Sequence, residues 1–226
     1  MNDQHTMDHA ICVRFMTEPP IELTPYQVKG AIIRQFPDHP IVPFINGAYR
    51  ERYRYPRVQV KVLRKQLCIF GIGGGYLPVN SFQKELHNLE AEGILFEVHD
   101  KEIPQDGLEL QEISDEYLRY KFITPWVALT QRALAHYKSL TPRERVAHLN
   151  RVLVQNLLFI SRDLGYEPEF TVSVRVKLQT LSPRVVEEQG SGSFKGYFTS
   201  NMKLPDYLGL GNGITKGLGT IVRMPS

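Results

Sequence analysis

Five glycines, Gly209, Gly211, Gly213, Gly217 and Gly219, fall within eleven residues, with Lys216 among them. Glycine adopts positive φ without a side-chain clash and lets another backbone come close, so this spacing suits a loop whose successive N–H groups face an anion. Lys216 would add a positive charge to such a cradle. Tight turns and bulges use glycine in the same way with no ligand at all, so context has to separate the two readings. The Walker pattern requires Gly-Lys followed by Ser or Thr, whereas Gly217 follows Lys216. The dinucleotide fingerprint opens a long helix, whereas residues 220–224 read as a short β-branched strand. Neither nucleotide pattern survives its context.

A second run with chemistry in it spans residues 49–65. Arg50, Arg52, Arg54, Arg57, Lys61, Arg64 and Lys65 stand against the single acid Glu51, with Tyr49, Tyr53 and Tyr55 interleaved. Cations that pair with phosphate and rings on which bases stack are what a single-stranded RNA groove uses. A solvated strand whose arginine stems lie along apolar surface fits the same residues. The net charge of +3 and a pI near 8.8 say little by themselves, so the local distribution carries the argument.

Cutting RNA without a metal needs a base for the 2′-hydroxyl proton, an acid for the leaving 5′-oxygen and a cation for the charge developing on phosphorus. The histidines are His5, His9, His39, His87, His99, His136 and His148, and none pairs with cysteine in a zinc-binding spacing. His39 lies where an exposed loop is expected to leave a helix, beside the basic and aromatic run. His87 and His148 fall in predicted helices, His99 ends a strand, and His5 and His9 belong to an acidic start that is expected to be mobile. Cys12 and Cys68 sit in apolar strand-like runs and read as small buried hydrophobes rather than a disulfide or a metal pair.

The elements that must position these groups repeat. Residues 11–16 read as a strand. Thr24 and Pro25 open a helix with apolar spacing over residues 26–36, and Pro37-Asp38-His39-Pro40 stops it. Strands over residues 57–63 and 67–72 flank a tight turn, Gly73-Gly74-Gly75 breaks the sheet, and a helix from Asn80 or Ser81 to about Glu92 precedes a strand over residues 94–98. The order is βαββαβ, the ferredoxin-like motif. After an acidic break at residues 104–107 the theme returns. A strand covers residues 117–123, and residues 126–140 are left open between extended and helical. Thr141-Pro142-Arg143-Glu144 is a capping box for a helix that buries Val146, Leu149, Leu153, Leu157, Ile160 and Leu164. Strands follow over residues 171–178 and 192–202, then a segment too short for a full helix, the glycine-rich loop and the last strand. The pattern predicts an α+β chain of two domains, residues 1–103 and 110–226.

The arrangement Gly-hydrophobic-Gly, five residues, Gly-hydrophobic-Gly, with Phe194-Lys195-Gly196 leading the preceding strand, resembles the C-terminal glycine-rich loop of the CRISPR-associated repeat-processing endoribonucleases. They are members of the repeat-associated mysterious protein superfamily. The resemblance implies a tandem ferredoxin-like, RRM-like fold and metal-independent cleavage of CRISPR repeat RNA by 2′-hydroxyl attack, leaving a 2′,3′-cyclic phosphate. It implies His39 as general base and Tyr26, at the start of the first helix, as orienting group or acid. The family's usual lysine is absent from the loop after His39, and Arg50 or Arg52, the nearest cation, is expected to steady the phosphate. Gly209, Gly211, Gly213, Lys216, Gly217, Gly219, Arg54, Arg57 and Lys61 are expected to hold RNA. Some members bind their repeat without cutting it, so a catalytically inactive RNA-binding or structural subunit of an effector complex is the alternative. The expected partner is CRISPR repeat RNA, with other effector subunits and a homodimer left open. No cofactor or metal is expected, and the absence of an apolar span points to a cytoplasmic protein with no membrane partner.

Overall fold

The computed structural model describes residues 10–104, 111–112, 117–186 and 191–225. It divides into two compact units, Met1–Glu109 with Thr215–Gly217, and Leu110–Ile214 with Leu218–Ser226. The expectations for His5 and His9 lie outside the described residues, and the break at residues 104–107 is described only at Pro104.

In the first unit β1 (Ala10–Glu18) leads to α1 (Pro25–Gln35), a short helix α2 (Val42–Ile45), β2 (Val58–Leu63), β3 (Gln66–Ile72), α3 (Tyr76–Glu85), β4 (Asn88–Ala91) and β5 (Ile94–Glu102). The sheet order is β2-β3-β1-β5-β4 and every pairing is antiparallel. That is the ferredoxin-like order, with β5 as its fourth strand and β4 added outside. Alternation sends Ile11, Val13 and Phe15 of β1, Val58 and Val60 of β2, and Leu67 and Ile69 of β3 to one face. There they bury against Val28, Ala31 and Ile32 of α1 and Val79 and Phe82 of α3. Each of these side chains larger than alanine contributes roughly 1.5–3 kcal/mol of transfer free energy. The other face presents Cys12, Gln59, Lys61, Cys68 and Phe70, and these are buried as well.

The second helix is a correction to the sequence reading. It starts at Tyr76 on the three glycines rather than at Asn80 or Ser81, and it ends at Glu85, so His87 is not helical. Residues 88–91 instead form a strand in which Leu89 and Ala91 are buried and Asn88 and Glu90 exposed. Glu92 and Gly93, both at positive φ, close the two-residue hairpin to β5.

The second unit contains β6 (Gln111–Glu112), β7 (Leu118–Phe122), β8 (Trp126–Leu129), α4 (Gln131–Ser139), α5 (Pro142–Asp163), β9 (Val174–Leu178), β10 (Arg184–Val186), β11 (Ser191–Phe194), β12 (Gly196–Ser200), β13 (Met202–Lys203) and β14 (Ile221–Arg223). Its main sheet runs β14-β7-β12-β9, the same ferredoxin-like order, with α5 as the first crossover. β8 and α4 are what residues 126–140 become, and β10-β11-β8 is a separate three-stranded sheet. The single strand expected over residues 192–202 is divided at Lys195 between the two sheets. Gly196 allows this at φ 150°, where a Cβ would come 2.4 Å from the Lys177 carbonyl. Leu149, Leu153, Leu157 and Ile160 of α5 are buried. Trp126 stacks on Phe122 at 5.2 Å and donates Nε1–H to Asn156 at 3.3 Å. Among the described residues no helix is long and apolar enough to cross a membrane.

Candidate functional site

The glycine-rich stretch occupies the place of a second crossover helix, and its backbone is committed to the fold. Leu210 N–H donates to Gly219 O, Asn212 N–H to Val127 O, Leu218 N–H to Gly213 O and Gly219 N–H to Pro125 O. The expectation that successive loop N–H groups face an anion is therefore corrected at these four positions. Gly211, Gly213, Gly217 and Gly219 all have positive φ, but Gly209 does not. A Cβ on Gly219 would stand 1.8 Å from the Leu210 carbonyl oxygen, so close backbone approach is a reason for that glycine.

Residues Thr215–Gly217 cluster with the first unit, and there they meet α1. Thr24 caps this helix in a box with Gln27, and Pro25 takes the first turn, where its missing N–H costs nothing. Tyr26 and Lys29 then share one side of the helix at i, i+3. Tyr26 is 78% exposed. Lys29 is half-buried and its Nζ donates to the Thr215 carbonyl at 2.8 Å. Burial pushes the Lys29 pKa down, and the positive charges of Arg50 and Lys216 push it further. Arg50 and Lys216 thus lie near enough for Lys29 to feel their charge, and Tyr26 stands one turn before Lys29 on the same helix; cations so grouped suit an anion such as phosphate. Gly217 makes room for this meeting, because a Cβ there would lie 3.3 Å from the Pro25 ring and its φ is 78°.

Sequence reasoning missed Lys29. The resemblance directed attention to a lysine after His39, whereas this one precedes it on the helix. Its spacing from Tyr26 was the available signal, but the carbonyl that receives it lies 186 residues further along the chain.

His39 is not on an exposed loop. It is 7% exposed, its ring packs edge-on against Phe82 at 5.2 Å, and Nδ1 accepts the Ile41 N–H at 3.1 Å. Nε2 lies 3.4 Å from a Glu85 carboxylate oxygen without hydrogen-bond alignment. Neutral His39 with an acceptor at Nδ1 carries its proton at Nε2, so its lone pair is already engaged. Tyr26 stands in the first turn of α1, about 13 Å along the axis from Gln35, whereas His39 follows the other end of the helix and donates its N–H to the Phe36 carbonyl.

The basic run divides into two groups. Arg50, Arg52 and Arg54 are exposed. Arg52 reaches over Tyr49 at 5.9 Å and Tyr53 at 5.3 Å, and Tyr53 stacks on Phe44. Arg57 and Lys61 are corrections: both are buried, so neither presents a charge to solvent as expected of an RNA contact. Arg57 lies over the Tyr53 ring at 4.8 Å. Lys61 Nζ donates to Gln59 Oε1 at 2.9 Å, and Gln59 Nε2 donates in turn to the Tyr55 hydroxyl at 2.8 Å. Burial takes the Lys61 pKa down to about 8, against the opposing pull of the thiols of Cys68 and Cys12. Those two sulfurs are 3.2 Å apart and free, and burial raises the Cys12 thiol further. Among the described residues no three His, Cys, Asp or Glu side chains cluster as metal ligands.

Comparison with known proteins agrees with this architecture along nearly the whole chain. The model for the Cas6b N-terminal domain matches residues 9–109 and that for the Cas6b C-terminal domain matches residues 112–224. A crystal structure of Cas6b superposes with a TM-score of 0.75 at 27% identity, covering 95% of this chain and 100% of that one. Another, described as the CRISPR RNA processing endoribonuclease Cas6b, gives 0.64 at 28% identity, covering 95% and 99%. An uncharacterized protein of Methanocaldococcus jannaschii is 34% identical over 116 residues, half of this chain and 76% of that one.

Proposed function

The chain belongs to the Cas6b family, and from that premise we propose that it is an endoribonuclease that binds CRISPR repeat RNA and cuts it to guide length. The observation that carries this reading is the match of both domain models together with a full-length structural relative described as a CRISPR RNA processing endoribonuclease. The reaction proposed needs no metal. The 2′-hydroxyl next to the scissile phosphate attacks phosphorus, the bond to the 5′-oxygen breaks, and a 2′,3′-cyclic phosphate and a 5′-hydroxyl result. Lys29, Arg50 and Lys216 hold the phosphate and its developing charge, and Tyr26 orients it or protonates the leaving oxygen. His39 as base has to release the Ile41 N–H before Nδ1 can take a proton. Repeat RNA is the proposed partner and the cytoplasm the proposed location.

That engaged lone pair is also the observation favouring the second reading, an RNA-binding or structural subunit that does not cut. The deciding experiment incubates the full chain with labelled repeat RNA in EDTA and compares wild type with His39→Ala, Tyr26→Phe and Lys29→Met. Cleavage at one site, lost in Lys29→Met by about 10²-fold or more, is expected for a cation that steadies the transition state. Loss in His39→Ala with binding retained assigns the base to His39, whereas full activity in that variant removes it from the chemistry. Tight binding without cleavage by the wild type establishes the second reading.

A further inference from the structure

The main sheet of the second unit has α5 on one side, and its other side forms an ordered grid of charge. Alternation along β7 and β9 exposes Arg119 and Lys121 on the first and Arg175 and Lys177 on the second, while their neighbours are buried or partly so. The central strand β12 places Tyr197 opposite both Lys121 and Lys177, and Thr199 opposite both Arg119 and Arg175. An aromatic ring therefore stands between two lysines, and a hydroxyl between two arginines in the next row. Rows two residues apart along a strand lie about 6.7 Å from each other, and the outer strands lie about 10 Å apart.

None of β7, β9, β12 and β14 contains an aspartate or glutamate. Among the described residues none of the four cations forms an ion pair. Three of them lie over rings instead: Arg119 Cζ is 5.5 Å and Lys177 Nζ 5.9 Å from the Tyr197 centroid, and Arg175 Cζ is 5.6 Å from that of Tyr117. Tyr117 is 50% exposed and extends the aromatic surface at one end. Four like charges brought together across neighbouring strands repel one another, so an anion bound to this face relieves that repulsion.

We infer that this face is a binding platform for single-stranded RNA, in which a base stacks on Tyr197 while Lys121, Lys177, Arg119 and Arg175 take the flanking phosphates. Duplex RNA is a poor fit, because its bases are already stacked and offer no face to the ring. The inference rests on the RNA-processing reading and deepens it, since it gives the substrate a second contact surface besides the Lys29 cluster. It is independent of which group takes the 2′-hydroxyl proton.

The test measures binding of a labelled single-stranded repeat RNA by the full chain across a salt series. Wild type is compared with Tyr197→Ala, Tyr197→Phe, the double variant Lys121→Gln/Lys177→Gln, and Arg151→Gln on the exposed side of α5 as control. Tyr197→Ala is expected to weaken binding between about 5- and 150-fold, and Tyr197→Phe to keep it, because stacking needs the ring and not the hydroxyl. The double variant is expected to lower the slope of log K against log salt by about 1.4, at roughly 0.7 per cation on single strands. Wild-type affinity and slope in both the Tyr197→Ala and the lysine variants would overturn the platform while leaving the proposed function standing. Equal affinity for a duplex of the same sequence would overturn it too. Failure of the wild type to bind repeat RNA at all would instead overturn the function, and the platform with it.

Discussion

Residues 58–62 read Val-Gln-Val-Lys-Val and residues 174–178 read Val-Arg-Val-Lys-Leu. Both are second strands of a ferredoxin-like sheet, both alternate with period two, and both put a lysine in the fourth position. Their fates are opposite: Lys61 is 0% exposed and hydrogen-bonded to Gln59, whereas Lys177 is exposed beside Tyr197. Alternation reports which residues share a face, but not whether that face meets water. The same four-letter rhythm therefore places one cation in a buried polar chain and the other on a platform for an anion.

The largest expected effect breaks or upholds this contrast directly. Charge reversal at Lys61 strands a carboxylate in a buried site and should cost on the order of 3–5 kcal/mol, whereas Lys177→Glu should stay within about 0.5 kcal/mol. Denaturant unfolding of the two variants decides it, and similar losses would mean that the burial contrast does not exist.

A pH dependence sharpens it. The Lys61 pKa falls from 10.5 to about 8 in the folded state, so between those values the unfolded chain binds the extra proton and stability rises with pH. Relative to Lys61→Met, the wild type should gain up to about 3 kcal/mol across that window. Below pH 8 the penalty for the buried charge is present in full. Lys177→Met should show no such difference, and parallel pH curves for wild type and Lys61→Met would show that Lys61 is solvated.

The smallest effect concerns what the two units share. Thr24 with Gln27 and Thr141 with Glu144 form the same capping box at the first crossover helix of each unit, with proline following each threonine. Thr24→Ala and Thr141→Ala should each cost about 1 kcal/mol. A loss confined to one variant would show that one helix is held by packing alone.

These boxes were legible because every group in them lies within four residues, and so were the β-branched runs and the buried stripe of α5. Gln27 completes the Thr24 box by the same local rule. The boundary between α3 and β4 was harder to see, because Asn-Leu-Glu-Ala supports either period over so few residues. The prolines on either side of His39 predict an exposed loop, whereas its burial depends on Phe82 and Glu85 more than forty residues later. Lys29 needed the Thr215 carbonyl to mark it out.

The order of amino acids by itself determined the helices with their caps, the alternating strands, the two ferredoxin-like repeats and the glycine positions, because these follow from steric and hydrogen-bonding preferences acting over a few residues. Tertiary structure alone decided which cations face solvent and which are buried, that His39 is packed against Phe82 and Glu85, and that N–H groups of the glycine-rich stretch donate to the carbonyls of Pro125 and Val127. Those outcomes depend on partners brought together from distant parts of the chain, where burial and the competition for hydrogen bonds set the chemistry of each group.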